Sequence, residues 1–223
     1  VSLNTIRRDI NELTKASIIK KVYGGVVYIK NNQATKAFED RNVSHLTEKQ
    51  KIGQYCATFI KPHDIVYLDS GTTTHFVLDL LDKDIEFTLI TNSLEVINKA
   101  VEFKNVTLIV IGETYKRSTK SFTGISDDQT INKFNINKAF MSATAFSIDS
   151  GASNSDLLEN RIKKLICDRA QDIFLLIDDS KFGKTSLYTY CHLKDIHTIV
   201  SNVGVGENYI NHIEKSKTNI ILL

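Results

Sequence analysis

No apolar run in the chain approaches the ~20 residues a membrane span requires, and no leader-like pattern opens it, so no membrane contact is expected. Cysteine is scarce. Cys56, Cys167 and Cys191 are odd in number and widely spaced, which argues against a disulfide framework and for reduced core thiols in a cytoplasmic protein. Neither sign of charge dominates: 28 Lys and Arg face 26 Asp and Glu, a net charge of +2 that does not announce nucleic acid as a partner. Repeats and low-complexity tracts are absent, as are the G-x-S-x-G elbow and the Walker P-loop. The six histidines (His45, His63, His75, His192, His197 and His212) are scattered without metal-ligand spacing, and neither a metal nor a cofactor is expected. The sole methionine is Met141, so residue 1 is not an initiator and the chain reads as a fragment or as one whose first residues precede the numbering.

What is present is the composition of a globular protein, 42% hydrophobic and 24% charged, long enough at 223 residues for one large core and a small appendage. Charge is uneven along it. Within the first 30 residues Arg7, Arg8, Lys15, Lys20, Lys21 and Lys30 oppose only Asp9 and Glu12. Ser2 can cap a helix on which Ile6, Ile10 and Leu13 share one face and Asn4, Arg7, Arg8 and Asn11 spread over the exposed sides. Two β-prone runs, 18–23 and 26–29, surround Gly24 and Gly25 and predict a hairpin. Helix followed by basic hairpin is the second half of a winged helix-turn-helix, in which the helix enters the major groove and the wing rests on the backbone. A short amphipathic surface helix with two Arg is the plainer reading.

Residues 31–50 are polar and predict a linker, with Thr47 a possible cap for a helix that Pro62, the single proline, brings to a stop. Beyond it, apolar runs alternate with helical patterns. Strands are predicted at 65–68, 87–91, 106–111, 138–142, 173–178, 198–201 and 219–222, with helices over 93–101 and 156–170. The pattern predicts an α/β domain over 51–223 with a mainly parallel sheet flanked by helices.

One stretch organises that domain. Ile65–Leu68 reads as a strand buried on both faces, Asp69 ends it, Ser70 and Gly71 turn the chain, and Thr72, Thr73 and Thr74 open a predicted helix that runs to Leu81. Amides at such a helix start lack partners and lie at the positive end of the dipole, which favours an anion; Thr hydroxyls add donors. A capped turn without a ligand would use the same residues. Ligands in open α/β sheets sit outside the C-terminal strand ends, and the polar residues there include Asn92, Ser93, Asp178, Asp179, Ser180 and Lys181. Lys181 supplies a point charge for phosphate, while Thr and Asn suit hydroxyl groups. Together they indicate a small sugar phosphate. Asn92 and Ser93 as helix caps, and Lys181 in a surface turn, are the alternatives.

These residues also carry a resemblance. Thr5-Ile6-Arg7-Arg8-Asp9-Ile10 followed by Tyr23-Gly24-Gly25 resembles the recognition helix and wing of the DeoR family of bacterial repressors. The stretches LDSGTTT, TNS, IGETYKRSTKSFTG and DDSKFG resemble successive signatures of that family's sensor domain. The resemblance implies a sensor with the fold of ribose-5-phosphate isomerase and glucosamine-6-phosphate deaminase, preceded by a partial winged helix-turn-helix over 1–30. It implies a repressor that leaves operator DNA when a phosphorylated sugar binds, working as a dimer or tetramer, with the family's two preceding helices needed for DNA. On this reading Arg7 and Arg8 contact DNA with Asn4 and Thr5 as lesser candidates, Lys20, Lys21, Gly24 and Gly25 touch its backbone, Ser70 belongs to the effector site, the phosphate lies on Gly71–Thr74 with Lys181 opposite, and Asp69 and Asn92 bind sugar hydroxyls. The sequence departs from the family at Gly112-Glu113, where Gly-Gly is usual and one pocket wall is expected to differ, and at Asn202 in place of Asp.

An isomerase on the same fold is the alternative. It needs a carboxylate to move a proton between adjacent carbons, and the related enzymes carry an acidic cluster where this chain has Ser142-Ala143-Thr144-Ala145-Phe146. The pocket reads as built to bind without turnover.

Overall fold

The computed structural model describes residues 3–15, 19–22, 25–28 and 38–223. It divides into two compact units, 1–34 and 35–223. In the first, helix α1 (Leu3–Lys15) is followed by an antiparallel hairpin, β1 (Ile19–Val22) and β2 (Gly25–Tyr28), in the register Ile19↔Tyr28 to Val22↔Gly25. Thr5, Arg7 and Arg8 are exposed on α1, and Arg8 Nε donates to Glu12 one turn on at 3.2 Å. Lys20 and Lys21 lie on β1 and Gly25 begins β2. Ser2, Tyr23 and Gly24 lie outside the described residues.

The second unit begins earlier than the expected 31–50 linker allows. Residues 38–43 form helix α2 (Phe38–Val43) and residues 46–56 form α3 (Leu46–Cys56). Phe38 and Lys49 are each 1% exposed, so side chains from the polar stretch are held inside the sensor unit. The α3 cap is His45, in the left-handed conformation (φ 52°), rather than Thr47.

Strands β3 (Ile65–Leu68), β4 (Phe87–Thr91), β5 (Val106–Val110), β8 (Ile136–Met141), β11 (Ala170–Leu176), β13 (Thr198–Ser201) and β14 (Asn219–Leu222) make one parallel sheet in the order β14-β13-β11-β8-β3-β4-β5. Leu68 pairs with Thr91 on one side and Phe140 on the other. The chain runs outward from β3 through β4 to β5, then returns to β8 on the opposite flank of β3. Strand order therefore reverses between β3 and β8, and the crevice beyond their carboxyl ends is where such sheets bind ligands.

Alternation along each strand builds two cores. Val66 and Leu68 join Leu89, Phe140, Phe174 and Leu176 on one face, covered by Ile52 and Cys56 of α3 and Val96 of α4 (Leu94–Ala100). Tyr67 joins Ala139, Met141, Ile173 and Leu175 on the other, covered by Ile162 and Ile166 of α6 (Leu157–Arg169) and Ile213 of α7 (Glu207–Lys215). Ser93 caps α4 through Val96 N and Asp156 caps α6 through Glu159 N.

Short elements complete the unit. The hairpin β6 (Thr114–Lys116) with β7 (Ser121–Thr123), the helix α5 (Gln129–Asn132), and an antiparallel sheet of β9 (Ala145–Ser147), β10 (Gly151–Asn154) and β12 (Tyr188–Cys191) surround the strand ends. These strands lack the continuous apolar runs that mark the strands of the parallel sheet, and no pattern in the sequence singles them out.

The predicted 72–81 helix is also different. It is a 3₁₀ segment, Thr74–Leu80, without side-chain capping at its start. Thr74 Oγ1 instead donates back to Asp69 O (2.5 Å) and Gly71 O (3.0 Å), tightening the turn. The segment that follows the loop therefore supplies it with no α-helical dipole, and an anion there draws on loop amides, hydroxyls and nearby cations.

Candidate functional site

A cavity of about 50 Å³ opens at the switch point between β3 and β8. It is lined by Ser70, Gly71, Thr72 and Thr73 after β3, by Ser142, Ala143 and Thr144 after β8, and by Asp178 and Lys181 after β11. Arg41, Lys49, Thr119, Asn154, Glu159 and Lys163 also line it. The Thr-rich turn and Lys181, 108 residues apart from Thr73 in the chain, thus face one space.

Gly71 is required here by contact. A Cβ at this position would stand 2.2 Å from Ser142 Oγ and 2.3 Å from Ser142 Cβ, so the turn after β3 presses on the end of β8.

Three predicted ligand residues do not line the cavity. Asp69 is fully buried; its Oδ2 accepts from Ser142 N (2.9 Å), from Ser142 Oγ (2.5 Å) and from the Lys163 ammonium. Asn92 Oδ1 accepts from the Tyr67 hydroxyl at 2.9 Å, and its Nδ2 donates to Phe122 O at 3.0 Å. Thr74 closes its own turn. Their side chains brace the strand ends, and Thr119 and Glu159 stand at the wall where hydroxyl partners were expected. Glu159 Oε1 accepts from Ser121 Oγ at 3.1 Å. Glu113 is likewise not part of the wall: its carboxylate accepts from Ser126 N and Oγ at 2.6 Å. Asn202 Oδ1 accepts from Asp179 N at 2.8 Å, fixing the loop that leads to Lys181.

The cations that sequence reasoning missed are Arg41, Lys49 and Lys163. Arg41 and Lys49 fell inside the supposed linker, and Lys163 inside an ordinary amphipathic helix. Lys163, on α6, donates to Asp69 and to Ser142 O (3.0 Å) with the Tyr190 ring 5.2 Å away. Lys49 Nζ donates to two backbone carbonyls, Arg41 O (2.5 Å) and Ser44 O (2.7 Å). Burial pushes its ammonium down to about 8, with Asp178 working in the opposite direction and Lys181 and Arg41 adding to the fall. Burial also lowers Arg41, against the pull of Glu159 and Asp69. With Lys181, four basic side chains border a space of a few waters; Lys163 is paired with Asp69 and the carboxylates of Asp178 and Glu159 share the wall, which leaves a modest basic excess that favours an anion.

For a metal, the grouping of ligating type among the described residues is His45, Asp178 and Asp179, whose ligating atoms lie within 4.8 Å of one another. Asp178 Oδ1 already accepts from Ser180 N and Oγ.

Comparison with known proteins agrees with the architecture. Residues 44–203 match the DeoR C-terminal sensor domain, and residues 1–32 match the DeoR-like helix-turn-helix domain. The HTH-type transcriptional regulator IolR of Bacillus subtilis is 48% identical over 222 residues, covering 100% of this chain and 88% of its own length. The L-fucose operon activator of Haemophilus influenzae is 29% identical over 222 residues (100% and 89%), and the deoxyribose operon repressor of Escherichia coli K12 is 27% identical over 222 residues (99% and 87%). All three are named as regulators and none as an enzyme, which sets aside the isomerase alternative. Among solved structures, the ribose-5-phosphate isomerase of Methanocaldococcus jannaschii overlaps with a TM-score of 0.46 at 15% identity, over 62% of this chain and 55% of that one, a score on which no argument about chemistry rests. A matched sensor domain, a matched helix-turn-helix and a relative nearly half identical along the whole chain place this protein in the DeoR family of DNA-binding transcriptional regulators.

Proposed function

We propose that the protein represses a sugar-metabolism operon and leaves its operator when a phosphorylated sugar occupies the cavity between β3 and β8. The observation that carries the reading is the meeting of an uncharged donor loop, Ser70–Thr73, with Lys49, Lys181 and Arg41 at the switch point of the sheet. The phosphate lies against the loop and Lys181, and the sugar hydroxyls face Thr119 and Glu159. The relatives named for a fucose and a deoxyribose operon support a carbohydrate effector; one is an activator and one a repressor, so the sign of regulation is part of the proposal.

Arg7 and Arg8 on α1 contact DNA, with Asn4 and Thr5 beside them, and Lys20, Lys21, Gly24 and Gly25 form the wing that touches backbone. Two half-sites require an even-numbered oligomer, a dimer or tetramer, working in the cytoplasm. Among the described residues, no helix is long and apolar enough to cross a membrane.

The test is release. DNA selected by the regulator from a genomic library, in a chain carrying the whole helix-turn-helix, is followed by fluorescence anisotropy while sugar phosphates are added. Dissociation by one phosphosugar and not by its free sugar is expected; a complex indifferent to every one contradicts the reading. Arg7→Ala weakens the complex and lowers its salt slope by about one.

A further inference from the structure

The cavity as it stands holds about 50 Å³, whereas sites that take small ligands run to roughly 300–1,000 Å³. A sugar phosphate enters only if part of the wall moves. Most of the wall is fixed. Strands β3, β8 and β11 each pair on both sides, Gly71 abuts Ser142, and Lys163 is locked to Asp69.

Helix α2 is held differently. Six residues are too few to be stable alone, so its position depends on separate ties. Phe38 is buried near the His75 ring, and its amide donates to Ser118 O at 2.9 Å. Asn42 Oδ1 lies 3.2 Å from His75 Nε2. Lys49 Nζ grips Arg41 O at the end of α2 and Ser44 O in the turn that follows. The same α2 carries Arg41 into the cavity wall, and it is the first described element after the boundary with the helix-turn-helix unit.

Lys49 is therefore an ammonium at the cavity wall, 1% exposed, whose hydrogen-bond partners are neutral carbonyls. A hydrogen bond from a cation to an anion is roughly twice as strong as one between neutral groups. We propose that Lys49 is the switch of this site: an arriving phosphate takes its ammonium away from Arg41 O and Ser44 O, and α2 is released from the cavity wall. The empty state keeps α2 clamped, the occupied state does not, and the ligand thereby distinguishes two conformations, as any effector must. This rests on the reading of the cavity as a phosphosugar site.

The experiment is limited trypsin digestion, reading by mass the cut after Arg41, which α2 shields, against the cut after Lys164 within α6 as a measure of global opening. Inorganic phosphate and glucose 6-phosphate are the probes, and melting temperature reports separately whether they bind. Without ligand, Lys49→Met is cut after Arg41 about tenfold faster than wild type or more, with Lys164 unchanged; Lys49→Gln serves if Lys49→Met does not fold. A bound probe raises the wild-type rate towards that of Lys49→Met and leaves Lys49→Met unaffected. Asn42→Ala, which cuts a purely structural tie, raises the basal rate but keeps the response. Equal rates in wild type and Lys49→Met, or a continuing response in Lys49→Met, overturn the switch. A probe that raises the melting temperature but not the Arg41 cut overturns it too, and leaves the site standing. If neither probe changes either quantity, the Lys49 switch by phosphate fails, while the phosphosugar reading is judged separately by the release assay.

Discussion

Lys163 Nζ and the Asp69 carboxylate form an ion pair beneath the cavity, with their side chains 6% and 0% exposed. The pair joins α6 to the end of β3, and Ser142 N and Oγ add two donors to the same Asp69 oxygen. A buried pair contributes little against a well-packed apolar substitute, but removing one partner strands the other charge out of water. Lys163→Met therefore costs about 3–5 kcal/mol of stability, measured by urea denaturation. The double variant Lys163→Met with Asp69→Leu recovers a large part of it. A loss below about 1 kcal/mol in Lys163→Met would show that the pair is not desolvated as described.

The contact between Gly71 and Ser142 makes a second prediction. Adding a methyl group at 71 forces apart two strand ends that sit side by side in the sheet. Gly71→Ala is expected to cost about 1–3 kcal/mol, the usual range for overpacking. Ser142→Gly in the same chain removes the opposing Oγ and Cβ and returns part of the loss, giving a measurable coupling in a double-mutant cycle. Additive losses would mean that the glycine serves some other purpose.

His75 gives the pH dependence. The residue is 6% exposed, Nε2 is assigned the proton because Asn42 Oδ1 accepts it, and Nδ1 is buried with no hydrogen-bond partner among the described residues. Burial, and then the Lys99 ammonium, push it down from 6.5 to about 4. The unfolded chain thus binds a proton between those values that the folded chain refuses. Stability attributable to His75 is complete above pH 6.5 and is lost as pH falls towards 4, by up to about 3 kcal/mol. His75→Gln flattens that limb of the stability profile, read by denaturant melts across pH 4–7. A wild-type profile already flat there would contradict the buried neutral ring.

The parallel sheet was legible because its strands are apolar runs bounded by turn residues, and all seven appear within two or three residues of their expected ends. The carboxyl-end loops were legible for the same reason: a strand such as Ile65–Leu68 announces where its ligand-facing end must be. What was hidden followed from burial that no pattern announces. Lys49 and Arg41 sit in a stretch polar enough to read as a linker, and only tertiary packing puts a lysine with 1% exposure there. Asp69 and Asn92 stood at the right strand ends, yet sequence cannot tell a side chain that faces the crevice from one that braces it. The Thr72–Leu81 helix was misjudged in kind, because Thr74 turns its hydroxyl back on Asp69 O and Gly71 O and the chain tightens into a 3₁₀ segment.

The most direct test of the account is a thermal-shift screen of this chain against sugar phosphates, each paired with its unphosphorylated sugar. A ligand at 100 times its dissociation constant stabilises the fold by about 2.7 kcal/mol, enough to move the melting temperature by several degrees. The account predicts a shift with a phosphosugar, none with the free sugar, and a weakened shift in Lys181→Ala, which folds normally. An equal shift from the free sugar, or an undiminished one in Lys181→Ala, would contradict the phosphate site between β3 and β8.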